Sequence, residues 1–123
     1  MGNPVMHWQI LTKNPKKLEE FYAALFGWKI SGDNPMGYRQ VDTMSAKGIG
    51  GGLWPISEKE GHSMVQLFIH VEDVKAHAKK AEGLGAHIVI PPQTLPGGDE
   101  MAVAVDPDGI PFAMFRRAGN SPQ

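Results

Sequence analysis

The chain is one structural phrase written twice. His7-Trp8-Gln9-Ile10-Leu11 leads through Asn14-Pro15 and a helical stretch to Gly27-Trp28-Lys29-Ile30. Gln66-Leu67-Phe68-Ile69-His70 leads through Asp73 and a second helical stretch to Gly85-Ala86-His87-Ile88. His7 and Gln66 lie 59 positions apart, Asn14 and Asp73 again 59, and Gly27 and Gly85 58. One residue lost in the second helix accounts for the slip. Elements matched at a fixed offset predict two similar supersecondary units packed about a pseudo-twofold axis, with a ligand site between them.

Within the first unit, Val5 to Thr12 is β-rich and alternates, with His7, Gln9 and Leu11 on one face and Trp8 and Ile10 on the other. Asn14-Pro15 then starts a helix, Asn as a cap for free backbone N–H groups and Pro at the first helical position. Leu18, Phe21, Tyr22, Leu25 and Phe26 give it an apolar stripe, and Gly27 ends it. A short strand over Trp28–Ser31, a turn at Gly32-Asp33-Asn34-Pro35, and strands over Tyr38–Thr43 and Ile49–Trp54 complete the unit. Polar Pro55 to Ser63 connects it to the second.

The second unit predicts a strand over Met64–Val71, a cap at Asp73, and a helix carrying Val74, Ala78, Ala81 and Leu84 that Gly85 stops. Ala86–Ile90 reads as a strand, and Pro91 to Gly98 as a proline-rich loop of restricted shape. Met101–Val105 and Pro111–Phe115 read as strands joined by the tight turn Asp106-Pro107-Asp108-Gly109. Ala118 to Gln123 reads as a frayed tail.

A doubled βαβββ unit resembles the vicinal oxygen chelate superfamily of glyoxalase I, extradiol dioxygenases, and fosfomycin and bleomycin resistance proteins. The phrases that carry the resemblance are Lys16-Lys17-Leu18-Glu19-Glu20-Phe21-Tyr22 through Phe26-Gly27-Trp28, Val71-Glu72-Asp73-Val74, Leu84-Gly85-Ala86 and Asp106-Pro107-Asp108-Gly109. They keep the family's order from Met6 to Arg116 and look most like its glyoxalase-like branch. The resemblance implies an α+β fold: two βαβββ units forming an eight-stranded, curved, cleft-containing sheet with helices outside. It implies one domain over residues 1–123, with repeat units at about 5–54 and 64–116.

Metal-using members of that family bind one divalent ion through the first and fourth strands of each unit. Here those places fall on His7 and Gln66, and on Gly52 and Ala113 where a carboxylate would stand. Glycine and alanine offer no donor, and His7 with a neutral Gln66 supplies two ligands where catalytic zinc keeps three. The resemblance therefore implies a degenerate metal site: no metal and no cofactor. Alternation places Gln9, Leu11, Trp54, Phe68, His70 and Phe115 on the inward face with His7 and Gln66. Aromatic side chains with a few polar groups suit a small molecule. His7, Gln9 and Gln66 would orient it, and Trp54, Phe68 and Phe115 would hold its apolar part. Packing against a dimer mate is the plainer account of the same residues.

His7 also reads as a structural hydrogen-bonding residue; acid–base catalysis suits its titration range but lacks an identified partner. His62, His77 and His87 match no zinc spacing. Gly48-Ile49-Gly50-Gly51-Gly52 lacks the Lys-Ser/Thr and the following helix of a phosphate loop, so its glycines read as close backbone approach. The seven methionines are dispersed and look like core, and Lys75, Lys79 and Lys80 form a solvated helix face.

Length and composition set the remaining bounds. A chain of 123 residues, 41% hydrophobic and 20% charged, is an ordinary globular domain. A net charge of −1 without a basic stripe argues against nucleic acid and anionic membranes. The absence of cysteine excludes disulfides and thiolate chemistry. No signal peptide, myristoylation start or membrane span is legible, so the expected compartment is the cytoplasm. The leading expectation is a homodimeric, metal-independent small-molecule binder that sequesters its ligand or runs a metal-free reaction. Its alternatives are a metal-dependent lyase or dioxygenase using His7, and a dimeric interaction module with no ligand.

Overall fold

Each half of the chain closes the same ladder from the same order of elements. In the computed structural model, which describes residues 2–32 and 37–119, the first half runs β1 (Val5–Thr12), α1 (Pro15–Phe26), β2 (Lys29–Ser31), β3 (Arg39–Asp42) and β4 (Gly51–Pro55). The second runs β5 (Met64–His70), α2 (Val74–Gly83), β6 (His87–Thr94), β7 (Glu100–Val105) and β8 (Pro111–Arg116). Among the described residues the fold is thus α+β, with eight strands and two α-helices built as βαβββ twice. Most of the turn expected at Gly32-Asp33-Asn34-Pro35, and the end of the expected tail, lie outside the described residues.

Packing divides the chain into two compact units, His7–Gln66 and Met1–Met6 with Leu67–Gln123. In the first, β1 runs parallel to β4, which pairs antiparallel with β3, and β3 with β2. In the second, β5 runs parallel to β8, and β8, β7 and β6 follow antiparallel. A βα crossover is what lets the first and last strand of each unit lie side by side in one direction.

The first unit rests on aromatic contacts. Trp8 packs at 5.4 Å from Trp28, Trp28 stacks at 5.1 Å on Tyr22, and Tyr22 stacks at 6.2 Å on Phe26. Gly51 lies under Trp8, where a Cβ would collide with the indole. The expected Asn14 cap is corrected: Asn14 stands at the N-cap position, but its side chain makes no cap bond. Its backbone N–H instead donates to Thr12 Oγ1 at 3.0 Å, and its carbonyl accepts from Leu18 N–H. The apolar stripe of α1 buries none of its residues fully, and Phe21, Leu25 and Phe26 each remain more than half exposed.

The second unit buries more. Val71, Val74, Ala78, Ala102, Ala104 and Met114 form its core between α2 and the sheet, while Phe68, Val103 and Ala113 cluster on the opposite face. Asp73 caps α2 as expected, accepting from Ala76 N–H at 3.0 Å. Leu84, expected in the helix stripe, is instead exposed past the helix end.

The loop expected over Pro91 to Gly98 is the largest correction. β6 continues through Pro91 and Pro92 to Thr94, with register irregularities between Ile88 and Ile90 and between Ile90 and Gln93. β6 ends its ladder, so the missing proline N–H groups disturb pairing on one side only, and bulges absorb the misfit. Among the described residues, no helix is long and apolar enough to cross a membrane.

Candidate functional site

Strand register decides which side chains of the first unit share a face. Gln9 stands opposite Gly52 and Leu11 opposite Trp54 in the parallel pair β1–β4. Gln40 stands opposite Gly52 in the antiparallel pair β3–β4, which sets Tyr38, two residues earlier, on that same face. His7 joins by alternation along β1. Trp8 is on the other face, its indole N–H donating to the Ile49 carbonyl at 3.1 Å.

Tyr38 binds this set together. Its phenol oxygen lies 3.4 Å from His7 Nε2, and its ring centre lies 5.5 Å from that of Trp54 at 51°. It also fills the place over Gly52: a Cβ there would stand 2.6 Å from Tyr38 Cε1 and Cζ and closer still to the hydroxyl. Burial pushes the phenol above its ordinary range, so it is protonated at neutral pH. The chain just before β3 is held by Arg39, whose Nε donates to Glu19 Oε1 at 2.7 Å and whose Nη1 donates to the Gly37 carbonyl at 2.9 Å. Such a group presents two aromatic faces, a neutral hydroxyl and an imidazole. Side chains of those kinds are chemically suited to holding and orienting an organic molecule.

The residues expected from sequence fall into separate groups. His7 and Trp54 are brought together through Tyr38, and Gln9 shares their face; all three are partly buried. Gln66 is buried near the middle of β5. Phe68 and Phe115 meet at 5.7 Å within the second unit, in the cluster that also takes in Met6, Met101, Val103 and Ala113. Ala113 is fully buried there. Tyr38 was not among the expected residues. The signal for it was Gly52 itself, because a glycine inside a strand marks something large close above it.

Among the described residues, no group of three or more His, Cys, Asp or Glu side chains stands close enough to hold a metal ion. Among the described residues, two surface grooves include none of the Tyr38 group in their lining. One of about 450 Å³ runs along Lys13–Lys17 and Glu20, and another of about 490 Å³ opens at the start of α2. Both are lined mostly by charged and polar side chains, with no aromatic ring. In the second, Asp73 is occupied as a helix cap and Arg116 stands 3.9 Å from Glu100. These charges account for themselves structurally.

Comparison with known proteins gives a consistent family. The family model for the glyoxalase-like domain matches residues 7–115. The anthracycline biosynthesis protein DnrV of Streptomyces peucetius is 26% identical over 117 residues, covering 80% of this chain but 41% of that protein. Among solved structures, one described as an NAD-dependent benzaldehyde dehydrogenase from Legionella pneumophila is 25% identical, with a TM-score of 0.65 over 89% of this chain and 96% of that one. A methylmalonyl-CoA epimerase in complex with methylmalonyl-CoA and NH4+ is 17% identical, with a TM-score of 0.66 over 97% of each chain.

Proposed function

Because this chain belongs to the glyoxalase-like domain family of the vicinal oxygen chelate superfamily, we propose that it binds a planar, oxygen-bearing organic molecule without a metal ion. The ligand lies against His7, Gln9, Tyr38 and Trp54. The observation that carries this reading is Tyr38 seated over Gly52 beside His7. Where a metal-using relative would present a carboxylate, this chain presents a phenol and the face of an aromatic ring. With Gly52 and Ala113 as the fourth-strand residues, the donor set does not fit a divalent ion, which needs several N or O ligands.

The name of the Streptomyces relative favours the ligand class, since anthracyclines are planar, oxygenated ring systems. Trp54 and Tyr38 supply flat apolar surface for such a ring, and His7 and Gln9 supply hydrogen bonds to its oxygens. The sequence expectation adds Gln66, Phe68 and Phe115 as ligand contacts, each open to the same substitution test.

The proposal includes a homodimer. Phe21, Leu25 and Phe26 leave a large apolar strip on α1, the kind of surface a second copy covers. The match spans less than half of the Streptomyces protein, which is long enough for a second domain of this size. Sedimentation of wild type against Leu25→Glu tests it: a dimer that Leu25→Glu dissociates supports it, and a monomeric wild type sinks it.

Titration calorimetry with an anthraquinone sulfonate tests the ligand site. Saturable binding that Trp54→Ala weakens at least about tenfold, the scale of a lost aromatic contact plus its buried area, supports the assignment. Binding unaffected by Trp54→Ala places the ligand elsewhere. Elemental analysis of protein purified without added metal decides the other point, since near-stoichiometric metal lost on His7→Ala overturns the metal-free site.

A further inference from the structure

An arginine that bonds in two directions fixes the backbone between its partners, because its donors sit in a rigid planar fork. Arg39 is such a side chain. It stands opposite Leu53 in the β3–β4 pair, one residue on from Tyr38 and so on the other face of the sheet. Its Nε donates to Glu19 Oε1 of α1 at 2.7 Å and its Nη1 to the Gly37 carbonyl at 2.9 Å, with the side chain 18% exposed. Its stem lies across Gly32, just past β2, where a Cβ would stand 2.5 Å from Arg39 Cγ and 3.3 Å from the Tyr38 carbonyl oxygen. Tyr38 is thus the middle residue of a closed clamp. The guanidinium of residue 39 grips the carbonyl of residue 37, and Glu19 grips the guanidinium.

We propose that Arg39 is a positioning residue of the ligand site, fixing the Tyr38 ring over Gly52 from the opposite face of the sheet through its bonds to Glu19 and the Gly37 carbonyl. The inference rests on the ligand site proposed above and adds a residue that sets its shape. Arg39 touches no ligand; it acts through the backbone of Tyr38. Its charge alone does not do this. A lysine ammonium carries the same charge on a flexible stem and lacks the fork that reaches a carboxylate and a carbonyl at fixed angles. Arg39→Lys therefore keeps the net charge and the attraction to Glu19 but releases the Gly37 carbonyl, and the ring loses its fixed place.

Two readouts separate positioning from stability. Proton NMR of the full chain is expected to show a nuclear Overhauser contact between the Tyr38 ring and Gly52 Hα that weakens or disappears in Arg39→Lys. Glu19→Gln removes the charge that holds the guanidinium and is expected to weaken the same contact, so the proposal stays testable if one variant folds poorly. The second readout is calorimetric affinity for an anthraquinone sulfonate. Arg39→Lys is expected to weaken it about fivefold, the scale of one displaced aromatic contact. With Tyr38→Ala already in place there is no ring to position, and the same change is expected to leave affinity within about twofold. Val74→Ala, in the core of the second unit, lowers the urea midpoint and is expected to move neither readout. A full-strength contact in both Arg39→Lys and Glu19→Gln overturns the positioning role. An equal loss of affinity from Arg39→Lys with and without the Tyr38 ring makes Arg39 a general support and overturns it as well. Failure of the probe to bind wild type overturns the ligand site and the role of Arg39 in it, while the NMR contact still decides whether Arg39 places the ring.

Discussion

Tyr38 and Gly52 form a fitted pair: the phenol ring occupies the space a side chain at position 52 would need. Tyr38 immediately precedes β3 and Gly52 lies in the neighbouring β4, and the register of β3 on β4 sets one diagonally across from the other. The packing of this face of the first unit passes through the contact, and so does the ligand site proposed for it.

Gly52→Ala is therefore a packing change, not a neutral surface one. A methyl group 2.6 Å from the Tyr38 ring carbons forces the ring aside, at a cost of about 1–3 kcal/mol. Urea unfolding of Gly52→Ala, Tyr38→Ala and the double variant gives the coupling. The double variant should lose less stability than the two single changes together. Strict additivity would show that the ring and the glycine are independent.

Alkaline titration reports the burial of Tyr38. Its phenol titrates above the ordinary value of 10.0, so above that pH the unfolded chain loses the proton first and the folded chain holds more protons. The stability from keeping the phenol neutral is whole below pH 10 and drains away as pH rises through the folded value. Urea midpoints measured on either side of that pH should fall more steeply for wild type than for Tyr38→Phe. Parallel slopes would place the phenol in solvent.

Glu19 is expected to matter beyond its own helix. Its carboxylate and Arg39 form a partly shielded pair at 2.7 Å that ties α1 to the start of β3. Glu19→Gln should cost about 1 kcal/mol, less at high salt, because a neutral amide keeps part of the hydrogen bonding and none of the charge attraction. A midpoint unchanged at low salt would show the pair to be ornamental.

His70 makes the opposite case. It is 3% exposed, its Nε2 bonds Glu72 Oε2 at 3.0 Å, and its Nδ1 is buried without a hydrogen-bond partner among the described residues. An unpaired buried nitrogen costs about as much as one hydrogen bond returns, so His70→Leu should leave stability within about 1 kcal/mol of wild type or raise it. Glu72→Ala, which strands the second ring nitrogen as well, should lower it. Calorimetric unfolding of both variants distinguishes this balance from a histidine that the fold depends on.

Much of the fold was legible because its signals are local. Alternation at His7, Gln9 and Leu11, the Asp73 cap and the Asp106-Pro107-Asp108-Gly109 turn each depend on a few neighbours in sequence. Asp106 Oδ1 indeed accepts from both Asp108 and Ile110 N–H at 2.9 Å. The Pro91-Pro92 stretch misled because proline forbids a central strand but not an edge, and edge position is a property of the whole ladder. Tyr38 was missed for a similar reason. It precedes β3, 31 positions from His7, and only strand register brings it over Gly52. The α1 stripe was read correctly as apolar, but amphipathicity does not say how much of a stripe the chain itself covers.

The glycine at position 52 also constrains how this sequence can change. A donor side chain introduced there alone meets the Tyr38 ring, so the substitution is rejected on packing before any chemistry is gained. Removing the ring first opens a void beside His7 and Trp54, and voids of that kind cost stability as well. Both mutational orders pass through a weakened intermediate. The Tyr38–Gly52 contact thus works as a ratchet: neither residue changes alone without a loss of stability.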